Sequence, residues 1–279
     1  MIRNNSDRAG PRSNAAEEVP STDAESLLNF VTPTEFVDLP SKGKGYPAGH
    51  PLHGQETVEI KYMTAKDEDI LTSKDLLKKG VAIDRLIQNL LVDKNIRASD
   101  MLLGDRNAVI INARASGFGH LYNTNVKCPA CGAGNKRTFD LTQPVVYNGD
   151  DWDDFDIVET DRGTYIFTLP STNFKVEVRL LKGRDEKEIF KMVQSAKGET
   201  AMVTKQLRMY IVSVEGHTNP NIIKHFVESI PMSQTNHIKD AYKAISPDLK
   251  IMRDFECDSC MHEQELEVSL GTDFFWPNR

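Results

Sequence analysis

Four cysteines occur in the 279 residues, and they fall into two C-x-x-C pairs, Cys128 with Cys131 and Cys257 with Cys260. A tight knuckle of this spacing presents two thiolates at about 2.3 Å from one metal, so two knuckles together complete a tetrahedral zinc site. Each pair follows a short strand-like stretch, Asn125-Val126-Lys127 and Asp254-Phe255-Glu256. Each is followed by another, Thr138-Phe139-Asp140-Leu141 and Glu265-Leu266-Glu267-Val268. Strand, knuckle, strand, twice over, predicts a zinc ribbon whose halves form a weak internal repeat. Between the pairs lie 125 residues, where a continuous ribbon has about 15 to 20. The ribbon is therefore expected to be discontinuous, built from 120–141 plus 250–279, with a folded unit inserted between.

The pairs are weighed against two other chemistries. A dithiol redox site needs its nucleophilic cysteine at a helix N-terminus, whereas both pairs here run into charged, strand-like sequence. Disulfides suit secreted chains, and Met1-Ile2-Arg3-Asn4-Asn5 has no apolar core of a secretory signal. Four thiolates leave no position for water or substrate, so the expected Zn²⁺ is structural, with ligands Cys128, Cys131, Cys257 and Cys260.

Along the chain, residues 1–28 are rich in Asn, Ser, Ala, Glu and Pro, a composition that is expected to stay disordered. Residues 29–119 read as an extended arm and a helical region. Phe36 to Pro47 is punctuated by Gly and Pro like an irregular loop; it lacks the spacing of a phosphate-binding loop. Val58 to Tyr62 alternates like a half-buried strand, and Thr64 with Asp67 forms an acidic capping box for a short helix. Ser73 restarts a turn that stops at Gly80. Ile83, Leu86, Ile87, Leu90 and Leu91 form a helical stripe. A further helix runs from near Asp105 to Gly117 or Gly119, and a strand, 120–127, enters the first knuckle.

Residues 142–249 read as an inserted hairpin and helical domain. Tyr165, Phe167 and Leu169 alternate toward a Pro-Ser-Thr-Asn turn, and Phe174, Val176, Val178 and Leu180 alternate away, with Lys175, Glu177 and Arg179 on the wet face. Four helical stripes follow. Asp185 and Glu188 open one carrying Ile189, Met192, Val193 and Ala196; Val203, Leu207, Tyr210, Ile211 and Val214 form the next. Ile222 to Ile230 ends at Pro231, and Ser233 caps a last one that ends at Ser246-Pro247. The fold class is α+β: an N-terminal helical region, a discontinuous four-cysteine zinc ribbon and an inserted hairpin-plus-helices domain.

Other constellations carry less. The acidic stretch Asp150 to Asp156 lacks a calcium-loop pattern and reads as a solvated loop pinned by Trp152 and Phe155. The histidines are scattered, none pairs with a nearby Ser or Cys in a nucleophilic pattern, and no G-x-S-x-G, H-E-x-x-H or G-x-G-x-x-G occurs. No window approaches the roughly 18 apolar residues of a membrane span. A zinc ribbon that reads nucleic acid is the alternative function. Lys127, Lys136 and Arg137 favour it, but Glu256, Asp258, Glu263, Glu265 and Glu267 around the second pair and a net charge of -7 oppose it. Phe274, Phe275, Trp276 and Pro277 group aromatics that are expected to anchor into the chain's own core or into a protein partner.

Several phrases occur in a telling order: Phe36-Val37-Asp38-Leu39-Pro40-Ser41-Lys42-Gly43 with Tyr46-Pro47, then Tyr62 to Ser73, Leu102-Leu103-Gly104-Asp105-Arg106-Asn107, and Phe274-Phe275-Trp276-Pro277. From about residue 30 onward they resemble the T4-type phage baseplate proteins, a family of baseplate hub subunits and hub assembly proteins of contractile-tailed phages. The resemblance implies a non-enzymatic structural protein or assembly chaperone whose partners are other baseplate or hub proteins, a role compatible with an oligomer. It implies residence in the host cytoplasm during assembly, with the tail baseplate of the virion as destination.

Overall fold

Thr34–Asp38 (β1) and Thr57–Lys61 (β2) pair antiparallel, Val37 opposite Val58, and turn both valines inward. In this computed structural model residues 32–195, 202–268, 270 and 274–275 are described. The 1–28 tail, Trp276 and Pro277 lie outside them, as do Ala196 and the side chains of Met192 and Val193. β1 corrects the loop expected from Phe36. Its alternation is short and leaves Phe36 exposed, so only the partner strand reveals it. The Gly/Pro-rich turn begins after it.

Ala65–Thr72 (α1) starts where expected, with the Asp67 carboxylate accepting from the Thr64 backbone N–H at 2.8 Å and its hydroxyl at 2.7 Å. Lys74–Lys78 (α2) and Ala82–Leu90 (α3) follow, α3 burying Leu86, Ile87 and Leu90. Leu103–Phe118 (α4) is the central helix, with Val109, Ile110 and Ala113 buried. Leu121–Lys127 (β3) and Gly134–Asp140 (β4) form the first finger hairpin. Val145–Tyr147 (β5) comes next, then Val158–Glu159 (β6), Thr164–Thr168 (β7) and Lys175–Arg179 (β8).

Gly183–Ser195 (α5) opens with Asp185 in its first turn, its carboxylate accepting the Lys182 backbone N–H at 2.8 Å. Asp185 is thus the acidic member of the cap, and Lys182 precedes the helix. The expected pairing of Asp185 with Glu188 is one turn too late. Met202–Tyr210 (α6) stops short of its apolar stripe: Ile211–Val214 (β9) is a strand. Ile211-Val212-Ser213-Val214 is rich in β-branched residues that favour strands, and β8 offers an edge for it. β9 completes a sheet of order β6-β7-β8-β9.

That added strand buries Glu177, which was expected on the wet face. Its carboxylate accepts from Thr164 Oγ1 at 2.7 Å, Ser213 Oγ at 2.8 Å and Arg162 Nη2 at 2.8 Å. Pro220–Ser229 (α7) is capped by Asn219. Met232–Ile245 (α8) starts directly after Pro231, one residue before the expected Ser233 cap. Asp248–Lys250 (β10) pairs with β5, and Met252–Glu256 (β11) with Glu263–Glu267 (β12) makes the second finger hairpin.

One continuous core holds Ile60, Leu86 and Val109 from the N-terminal half together with Phe167, Val178 and Ile238 from the insert. A bridge between Leu102 and Lys182 stitches these parts at the backbone, and one between Ile60 and Leu91 ties β2 to the end of α3 within the N-terminal half. The two finger hairpins share a separate small core of Cys128, Phe255 and Cys257, with Val126, Ala133 and Leu266 against it.

Candidate metal centre

The two hairpins bring their tips together. Each knuckle closes in the same way: the N–H of Gly132 donates to the carbonyl of Cys128 at 2.8 Å, and that of Met261 to Cys257 at 3.0 Å. The N–H of Cys128 donates to Ala133, and that of Cys257 to His262. The internal repeat read from sequence is therefore geometrically real. It includes a left-handed residue in each knuckle, Gly132 at φ 74° and Met261 at φ 56°.

The ligand atoms of Cys128, Cys131, Cys257 and Cys260 lie within 4.8 Å of one another. Cys128 and Cys260 place their Sγ atoms 3.7 Å apart, Cys131 and Cys257 3.6 Å. A tetrahedron of sulfurs at about 2.3 Å from a central ion has edges of about 3.8 Å, so the donor set fits such an ion. Cys128 and Cys257 are buried, and Cys131 and Cys260 are exposed. The Cys257 thiol is brought down to about 6: burial opposes this, but backbone N–H groups of Ser259 and Cys260 and the neighbouring thiols favour its thiolate.

Two residues beside the thiols tie the knuckles to each other. Buried Asn135 accepts the Asp258 N–H at 2.8 Å through Oδ1 and donates to the Ala133 carbonyl at 2.9 Å. Its Nδ2 also lies 3.7 Å from Cys257 Sγ. Arg137 grips Asp258 with both terminal nitrogens, at 2.7 and 3.1 Å, donates to the Glu256 carbonyl, and lies over the Phe255 ring. Sequence reasoning read Arg137 as part of a basic cluster and passed over Asn135. Only the register of β4 against β3, with Asn135 opposite Val126, turns it toward the second pair.

At the finger's base, Phe274 and Phe275 are buried. Phe274 packs on Tyr122 with centroids 4.8 Å apart, and its carbonyl accepts from Arg114 Nε at 3.3 Å. Their rings are packed into this chain's own core.

The phrases that carry the family resemblance also meet in space. Asp105 in α4 accepts the Ser41 backbone N–H at 3.0 Å, and its other oxygen accepts the Ser41 and Tyr46 hydroxyls, each at 2.7 Å. Tyr46 in turn accepts the Leu102 N–H at 2.9 Å. Asp105 and Ser41 are among the most buried residues, and burial holds the Asp105 carboxyl above its ordinary range. Arg106 donates to the Ala98 carbonyl at 2.7 Å and reaches Asp84 at 2.7 Å and Glu186 at 3.0 Å.

Fold and cluster together define a mixed α+β protein with a four-thiol finger and a polar network buried under its central helix. The chain belongs to the T4 bacteriophage base plate protein family, which matches residues 32–276. It is therefore a structural baseplate protein of a phage, and contacts with other phage proteins follow from that membership. No curated protein and no solved structure matches it. Among the described residues no helix is long and apolar enough to cross a membrane.

Proposed function

We propose that the chain is a non-enzymatic structural or assembly protein of the tail baseplate hub, working through protein–protein contacts around a structural zinc ion. Family membership carries the baseplate part of this reading. The hub role extends it through the shared phrases, which are spent on buried architecture: Ser41, Tyr46, Asp105 and Arg106 hold one another and neighbouring backbone. The zinc part rests on four thiols whose spacings suit one tetrahedral ion and leave it no open position. Cys128, Cys131, Cys257 and Cys260 would hold that ion. It would then clasp residue 131 to residue 257 and fix the finger relative to the core below it.

Such a protein acts in the host cytoplasm while baseplates are built and then either stays in the tail or leaves as a chaperone. Mass spectrometry of intact particles and of purified assembly intermediates tests this directly. The chain is expected in hub-containing intermediates, and its absence from both intermediates and particles would sink the hub reading. The nucleic-acid alternative loses its best cation, because Arg137 is neutralised by Asp258. Titration with DNA and RNA at low salt is expected to give no binding with a steep salt slope.

A further inference from the structure

The small sheet of β5 and β10 separates two grooves. Val146 lines one of about 510 Å³, whereas Val145 and Tyr147 line another of about 580 Å³. β10 alternates in step: Leu249, opposite Val146, faces the first groove, and Asp248 and Lys250 face the second. This is the two-residue period of a strand, each face looking into its own groove.

The sheet's two edges are unlike. On the β10 side α4 packs closely, with Asn107 Nδ2 donating to Asp248 Oδ1 at 3.1 Å. On the β5 side no strand pairs among the described residues. Edge strands are usually blunted by lysine, proline or a bulge, but β5 is Val-Val-Tyr, with Val145 and Val146 exposed at 52% and 51%.

The grooves also differ in chemistry. The first combines apolar walls, Phe36, Pro40, Ile111 and Pro144, with polar ones, among them Asp38, Lys42 and Glu56. The second carries Asp151, Asp154 and Asp240, none of which has an ion pair among the described residues. Lys250 there is already held by Asp248 at 3.3 Å and Glu267 at 3.4 Å, leaving Lys243 as the only other basic side chain in the lining. The local field is negative enough that Asp151 and Asp150 add to burial in pushing up the Tyr147 phenol.

We infer that β5 is the docking edge for an extended segment of a partner protein. The segment adds as a third strand, with apolar side chains in the Phe36 groove and lysine or arginine in the Asp151–Asp154–Asp240 groove. This deepens the assembly reading and rests on it. Main-chain pairing supplies the fit, and alternate side chains supply the selectivity. Three residues make a short ladder, so much of the affinity must come from the two grooves. A second copy of this chain is a poor occupant, because pairing two β5 edges would juxtapose two acidic grooves.

The probe is a capped ten-residue peptide of alternating valine and lysine, with a valine–glutamate peptide as control. Amide exchange at 145–147 and fluorescence anisotropy are the readouts, on the full chain. The valine–lysine peptide is expected to slow exchange at these amides, and the control is not. Asp151→Asn with Asp240→Asn should weaken binding roughly tenfold, and Val146→Lys should abolish it. Unchanged exchange in the wild-type protein overturns the inference without recourse to any variant, and so does equal binding of both peptides. Self-association that Val146→Lys removes would assign the edge to a second copy and overturn it too. Normal incorporation of a folded Val146→Lys chain into baseplates would overturn this surface but leave the assembly reading standing. Absence of the wild-type chain from baseplates and intermediates would sink the assembly reading instead, while the peptide result would still decide the edge.

Discussion

Asp105 shows how single residues hold this protein together. Ser41 Oγ already accepts the Gly43 N–H and Tyr46 Oη the Leu102 N–H, so both hydroxyl hydrogens point at the carboxylate. An amide at 105 would set a donor against donors. Asp105→Asn is therefore expected to lose about 3 kcal/mol in urea unfolding. Burial raises this carboxyl in the folded protein, so the folded state binds its proton more tightly than the unfolded chain. Its contribution is greatest in acid and is lost as pH rises from the ordinary carboxylate range through the folded value. The stability gap between wild type and Asp105→Asn should accordingly narrow over that rise. A gap that widens would contradict the assignment. Met261 makes a second residue-scale case, since it holds a positive φ where the sister knuckle has Gly132. Met261→Gly should raise local stability by about 1 kcal/mol, read from amide exchange in β12. The cysteines were legible because their spacing is itself the chemistry. Asn135 was not, because a lone asparagine carries no spacing.

At the scale of elements, helices and hairpins with strong periodicity were legible: α3 from its five-residue stripe, and β7 with β8 from their alternation. Two elements depended on partners distant in sequence. β1 becomes a strand by pairing with β2, and β9 leaves a helical pattern because β8 has an open edge. Such pairing overrides local periodicity, and it also moved Glu177 from the expected wet face into a buried network. The contact of α4 with β10 gives a test in which two effects compete. Alanine at a helical glycine ordinarily gains about 1 kcal/mol. A Cβ on Gly104 would lie 2.2 Å from the Pro247 carbonyl oxygen, a backbone atom that cannot simply rotate away. Gly104→Ala is expected to destabilise by about 2 kcal/mol net, measured by chemical denaturation. A stabilised variant would mean that this packing is looser than described.

For the whole molecule, the division into an N-terminal region, a ribbon and an insert read from sequence meets a single core that draws on all three, with Tyr122, Phe139 and Ile251 coming from the ribbon segments. Periodicity reports which face of an element is apolar, but it does not report which other element covers that face. The finger alone has a core of its own, and that core includes two of the thiols. If the four thiols hold an ion, removing it should therefore separate the two parts. With a strong chelator, or in Cys257→Ser, amide exchange in β3, β4, β11 and β12 is expected to quicken beyond the finger's base. The main thermal transition should persist, and bound zinc in the variant should fall well below one per chain. Full zinc in Cys257→Ser would refute the ligand set.

The order of the four thiols along the chain has a consequence in time. Cys131 and Cys257 are separated by 125 residues, and at about 5–20 residues per second a ribosome needs roughly 6–25 s to cross that distance. Throughout that interval the nascent chain carries only one of the two thiol pairs. Half a ligand set holds an ion weakly, so firm capture waits until the hairpin, the helices and β11 have all emerged. A metal seated by all four thiols would thus mark a chain whose intervening stretch has already been made.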